Sequence, residues 1–314
     1  MKKKAIIISI RGTQLSKKEK LLLLREHPWG VILFKRNIKS VKQLKSLTQT
    51  IRNIKNDKYF PILIDEEGST VSRLRSIINH DISAYYFGKL FSINQKLSIQ
   101  LYKKYLNSLC KNLKKFGINI NTIPVLDVLR KNTNKVISNR SFSNKKKIVK
   151  KLGKITVQVC HANKIISVIK HIPGHGCATS DSHYEMPKVN LNYKELISTD
   201  CYPFKLTNAK LAMTAHILYQ KIDPNNVATF SKKIIKETIR KKIGYKGILM
   251  SDDISMKALK YDLVTNAKKS LAAGCNLVLY CAGNINENLK LIKEVPYIDD
   301  FTSKKTSEIY KILR

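Results

Sequence analysis

Acidic residues are scarce. Only 22 Asp and Glu stand against 59 Lys and Arg, a formal net charge of +37 over 314 residues. Such a charge first raises nucleic acid as a partner. Yet no RNA- or DNA-binding motif accompanies it. The basic residues come in short clusters along the whole chain, "KKEK", "KNLKKFG", "NKKKIVKKLGK" and "RKKIGYKG", mostly in stretches that read as helices. Two readings stand: solvated helix faces whose lysine content follows from an AT-rich genome, or a surface selected for a polyanion. Long apolar runs are missing too. Nothing approaches the ~18 residues of a membrane span. After the basic start "MKKKAIIISIRG" the apolar run stops at Ile10 and no small-residue cleavage site follows, so it reads as a buried strand rather than a secretion signal. Cysteine is sparse: Cys110, Cys160, Cys177, Cys201, Cys275 and Cys281 are too scattered for a disulfide framework, and free thiols in a reducing cytoplasm are expected. Glycine numbers only 12, and no G-x-G-x-x-G follows the first apolar run, which argues against a dinucleotide-binding sheet. Linkers, repeats and low-complexity blocks are absent, so one domain over 1–314 is expected.

What is present is a rhythm of short apolar runs alternating with helix-like segments. The runs lie near 5, 30, 61, 118, 165, 211, 247 and 276; helices are expected near 16–25, 39–54, 93–115, 145–162, 231–241 and 262–272. The runs are Ile/Val/Leu-rich without alternation, as strands buried on both faces should be. Eight such units predict a closed parallel barrel, a (β/α)8 TIM barrel, with an open doubly wound sheet as the alternative.

Polar residues gather at the predicted strand ends: Asp65, Lys170-His171, His216 and Ser251-Asp252-Asp253. In a parallel barrel these ends share one mouth, where active sites lie. Asp253 or Ser255 can cap the next helix, which frees Asp252 to face the mouth as a nucleophile toward a sugar's anomeric carbon. A proton donor is also required. The loop "KHIPGHGCATSDSHYEMP" holds His171, His175 and His183. Asp181 and His183 stand two apart, so in an extended loop the carboxylate can orient the imidazole for acid–base work; an ordinary solvated loop is the other reading. A zinc site is disfavoured, because Pro173 and Gly174 break the helix that would align His171 with His175, and no H-E-x-x-H is present.

The motifs "KHIPGHG" with "DSH" and "GILMSDDISM" resemble those of the family 3 glycoside hydrolases, in particular their single-domain β-N-acetylglucosaminidases of the NagZ type. "WGVILFKRNI", "LIDEEGSTVSRL", "GININTIPVLDV", "NRSFS", "AMTAHILY" and "AAGCNLVLYC" fit in order and spacing. The resemblance implies a TIM barrel and a retaining mechanism, with Asp252 as nucleophile, His183 as general acid/base and Asp181 as its dyad partner. It further implies sugar binding by Asp65, Arg73, Arg140, Lys170 and His171, and a structural part for His175. The implied substrate is a terminal N-acetylglucosamine on a cytoplasmic cell-wall turnover product, GlcNAc-1,6-anhydroMurNAc or its peptide forms. No cofactor, no metal, no specific nucleic acid and no membrane partner are expected, and a monomer is. Phosphate in place of water as acceptor, or a non-catalytic sugar- or nucleic-acid-binding barrel, are the alternatives. Three departures bear on specificity: Ser69-Thr70 where the family has Gly-Arg, Cys177 where many members have Asp, and Asn276 for a common Asp.

Overall fold

Eight apolar runs buried on both faces call for parallel pairing, and in the computed structural model they close into a barrel rather than an open sheet. The structure describes residues 2–79, 81–178, 180–182, 184–205 and 208–314. The strands are β1 (Lys4–Ser9), β2 (Pro28–Leu33), β3 (Ile62–Ile64), β4 (Ile120–Asn121), β5 (Ile166–Ile172), β6 (Leu211–Thr214), β7 (Ile248–Asp253) and β8 (Leu277–Leu279). They close in the order β1-β8-β7-β6-β5-β4-β3-β2. The closing register pairs Ile6 with Val278 and Ile8 with Val31.

Successive strand side chains point to opposite faces. Ala5, Ile7, Ile32, Leu63, Val168, Met213, Met250 and Leu279 fill the interior, while Ile6, Ile8, Val31, Leu33, Ile64 and Leu249 pack outward against the helices. Both sets are buried, so polarity does not alternate along the chain.

The outer ring comprises α1 (Lys17–Glu26), α2 (Val41–Lys55), α3 (Ala84–Ile93), α4 (Gln95–Lys115), α5 (Lys146–Ala162), α6 (Tyr193–Ser198), α7 (Leu263–Ala273) and α8 (Ile285–Glu294). A wider π-type helix covers Ile234–Lys242, its end marked by the Ile243 amide donating to Thr238 O. A final helix, α9 (Asp300–Leu313), closes the floor of the barrel: Ile309 and Leu313 join the interior cluster, and the buried Trp29 donates from Nε1 to Thr306 Oγ1 (2.9 Å).

Two differences from the sequence reading have local causes. The helix expected near 93–115 is α4; ahead of it lies α3, absent from the sequence reading, which stops where Asn94 leaves the helical conformation and caps α4 by accepting from the Leu97 amide. Helices α8 and α9 follow the last strand, where no further apolar run signals the β/α rhythm. In α5 the lysines Lys147, Lys151 and Lys154 are exposed, whereas Ile148, Val149 and Leu152 between them are buried. That basic cluster is the outer face of an amphipathic helix.

Candidate active site

At the C-terminal ends of the strands lies a cavity of about 340 Å3. Its apolar wall includes Ile32, Phe34, Val136, Met213 and Met256, and its polar wall includes Asp65, Arg73, Arg140, Lys170, His171 and Asp252. The polar side begins at β3. Asp65 Oδ1 accepts from Lys170 Nζ (2.5 Å) and from Thr122 Oγ1 (2.5 Å), while Arg73 Nη2 donates to Oδ2 (2.8 Å). Lys170 Nζ also reaches Glu67 Oε1 (2.5 Å) and Thr122 Oγ1 (3.0 Å), so its three protons face three acceptors. Arg140 grips Glu67 with Nε and Nη2, each at 2.8 Å, and donates from Nη1 to Val136 O (3.0 Å). Burial works against the Asp65 charge, but Lys170, Arg73 and Arg140 overcome it and hold the carboxyl well below the usual range. Arg140 has five N–H bonds, which leaves one on each terminal nitrogen for a ligand. Among the described residues, the buried Arg73 Nε has no partner.

The second half of the site is built on β5 and β7. Asp127, fully buried, accepts at Oδ2 from His171 Nδ1 (2.7 Å) and at Oδ1 from the amides of His171 (3.2 Å) and His175 (2.6 Å). A carboxylate only accepts, so His171 carries its proton on Nδ1. Asp252 ends β7. Its Oδ1 accepts from the Asp253 amide (2.8 Å), and Oδ2 accepts from no described residue. Burial alone would raise the Asp252 carboxyl; the neighbouring His171, the Asp253 amide and Lys170 bring it below the ordinary value. Asp253 is committed elsewhere, accepting from the Cys281 and Ser255 amides (3.1 Å each) and from Ser255 Oγ (2.7 Å).

A family model described as the glycosyl hydrolase family 3 N-terminal domain matches residues 2–305. The chain belongs to glycosyl hydrolase family 3. The β-hexosaminidase of Hydrogenovibrio crunogenus is 35% identical over 281 residues, which cover 88% of this chain and 78% of that one. Among solved structures, NagZ from Neisseria gonorrhoeae in complex with N-trifluoroacetyl-D-glucosamine matches with a TM-score of 0.87 at 27% identity, covering 98% of this chain and 90% of that chain. A family 3 β-N-acetylglucosaminidase from Paenibacillus sp. str. FPU-7 shares the fold at a TM-score of 0.88 and 24% identity; this chain spans 60% of its length.

In this family 3 glycoside hydrolase the cavity brings together Asp65, Arg73, Arg140, Lys170, His171 and Asp252. His183 lies outside the described residues. Asp181 is half-buried, and its carbonyl accepts from the Tyr184 and Glu185 amides (3.1 Å each), while the neighbouring Ser182 borders the cavity. The His175 amide serves a structural end, but its ring also borders the cavity; burial lowers that imidazole to about 4, so it is neutral. Among the described residues no group of three His, Cys, Asp or Glu side chains is arranged to hold a metal ion.

The departures have visible accommodations. Thr70 donates to Asn139 Oδ1, and Asn139 Nδ2 donates to Ser69 Oγ (3.3 Å), tying the altered loop to the Arg140 turn. Asn276 Oδ1 accepts from the Leu249 amide and from Arg240, each at 2.8 Å, as a carboxylate oxygen would. Sequence reading passed over Glu67, Thr122 and Asp127 and gave His216 no role. Asp127 carried a signal: a lone acid closing the apolar run of the fourth strand, like Asp65 after the third.

Proposed function

We propose that the chain is a retaining exo-β-N-acetylglucosaminidase working as one barrel domain. Its substrate is a terminal, non-reducing N-acetylglucosamine β-linked in cell-wall turnover products such as GlcNAc-1,6-anhydroMurNAc and its peptides. The observation that carries this reading is Asp252: an ionised carboxylate at the mouth, one oxygen held by the next amide and the other free of described partners. The β-hexosaminidase relatives and the glucosamine ligand of the N. gonorrhoeae structure support the choice of sugar.

In the first step Asp252 Oδ2 attacks the anomeric carbon as the glycosidic bond breaks, and His183 gives a proton to the leaving oxygen. In the second, His183 takes a proton from water, which displaces Asp252 and restores the β configuration. Asp181 orients His183. Arg73 and Arg140 have N–H groups left for sugar hydroxyls and the acetamido oxygen, and the Nε2 edge of His171, its Nδ1 held by Asp127, meets a sugar hydroxyl. Lys170 has its protons engaged and contributes charge. A cytoplasmic setting and monomeric state belong to the same proposal; no helix among the described residues is long and apolar enough to cross a membrane.

The test is turnover of a chromogenic β-N-acetylglucosaminide with and without phosphate. Equal release of N-acetylglucosamine in both arms is expected. A requirement for phosphate, with sugar 1-phosphate as product, would make the enzyme a phosphorylase. Sugar binding without turnover would make it a lectin-like barrel.

A further inference from the structure

We propose that His216 and Thr229 form a positioning pair that presents the Asp252 carboxylate, acting through the backbone of Asp253. The proposal rests on the reading of Asp252 as nucleophile.

Asp253 is held at every polar group. Its amide donates to Asp252 Oδ1 (2.8 Å), its carboxylate takes the Cys281 and Ser255 amides and the Ser255 hydroxyl, and its carbonyl accepts from the Met256 amide (3.1 Å) and from His216 Nε2 (3.0 Å). One residue thereby ties together the ends of β6, β7 and β8. The only one of these contacts that orients the Asp252 carboxylate is the amide, and the amide's direction depends on how the 252–254 backbone is fixed. The side chain of Asp253 anchors it on the β8 side; His216 anchors its carbonyl on the β6 side.

The chemistry of His216 is determined by its partners. A carbonyl oxygen can only accept, so Nε2 carries the proton. Nδ1 is then a lone pair 2.7 Å from Thr229 Oγ1, whose one proton lies between it and the Ala215 carbonyl oxygen (3.2 Å), the nitrogen being the nearer acceptor. Thr229 is in turn placed by Thr214, whose hydroxyl lies 2.8 Å away. His216 is 1% exposed, and burial lowers its pKa, so the imidazole stays in this neutral tautomer. His216 is not among the residues that line the cavity. A residue needed only to fill that space would be apolar, since a buried imidazole with one nitrogen unpaired is costly. Here both nitrogens are spent on a chain that ends at the nucleophile's neighbour.

The experiment compares His216→Leu, His216→Gln and Thr229→Val with Asp252→Asn, using a nitrophenyl β-N-acetylglucosaminide and inhibition by N-acetylglucosamine. Leu removes the donor; Gln places an amide N–H where Nε2 stood; Val frees the imidazole to change tautomer. His216→Leu is expected to lose about 10–100-fold in kcat while KM and the inhibition constant change less than about threefold. His216→Gln should recover to within about fivefold of wild type, and Thr229→Val should fall between them. If His216→Leu does not fold, the Gln and Val variants carry the test. Near-wild-type kcat in the Leu variant, or in Thr229→Val where Leu fails to fold, would overturn the proposal. So would a parallel loss of sugar binding and turnover, because that is collapse of the site rather than mispositioning. If Asp252→Asn keeps its rate, the nucleophile reading itself falls, whatever the His216 variants do.

Discussion

Asp252→Asn should leave N-acetylglucosamine binding in place and remove nearly all turnover, because an amide cannot form the glycosyl ester. Asp253 is a poor substitute, since both its oxygens already accept hydrogen bonds. The pH profile gives an independent reading. The Asp252 carboxyl is held below its ordinary value, and the nucleophile must be ionised. The acid limb of kcat/KM should therefore fall only as pH drops below the ordinary Asp value of about 3.9. An acid limb assigned to Asp252 above that value would contradict the environment described. For His183→Ala the loss should be largest on substrates with poor leaving groups, since an alkoxide needs a proton and a nitrophenolate does not. Asp181→Ala should show the same pattern more mildly. Equal loss on all substrates at the first step would count against a proton donor.

At the scale of elements, the segment leading to Asp181 and His183 depends on its footing. The His175 amide is held by Asp127, the Gly176 carbonyl accepts from Thr133 Oγ1 (2.5 Å), and the Ala178 carbonyl accepts from the Asn134 amide (3.0 Å). Gly176 packs directly on the backbone: a Cβ there would lie 1.8 Å from Val128 O. Gly176→Ala must push the loop off β4's extension. It is expected to lower stability by about 1–3 kcal/mol or more, and to slow a natural disaccharide more than a nitrophenyl glycoside. Unchanged melting and unchanged rates on both substrates would show the footing to be irrelevant. The strands and most helices were legible because each follows from local period and composition. Helix α3 was legible in principle from its N-cap, Ser83, which accepts from the Tyr86 amide. Glu67–Arg140 and Asp127–His171 were not, because each partner is an ordinary strand-end or loop residue until the barrel closes.

For the molecule as a whole, the charge of +37 is the open feature. In α5 the lysines cover a solvated face. If that holds generally, nucleic-acid binding should be weak, non-specific and steeply lost with salt, with a log–log slope of about −0.9 per phosphate contacted on duplex DNA. Hydrolysis of a neutral glycoside should barely respond over the same salt range. An anionic muropeptide should lose kcat/KM as salt screens its encounter with the positive surface. Paired kinetics at low and near-physiological salt check this, and tight, salt-resistant, sequence-selective binding would mean a surface selected for nucleic acid.

The central claim is double displacement at Asp252, and stereochemistry tests it most directly. Proton NMR of nitrophenyl β-N-acetylglucosaminide hydrolysis, recorded before mutarotation, reads the anomer first released. The account predicts β-N-acetylglucosamine, with the α anomer appearing only as the solution equilibrates. The α anomer as first product would contradict it, because it requires a single displacement by water with no glycosyl–Asp252 intermediate.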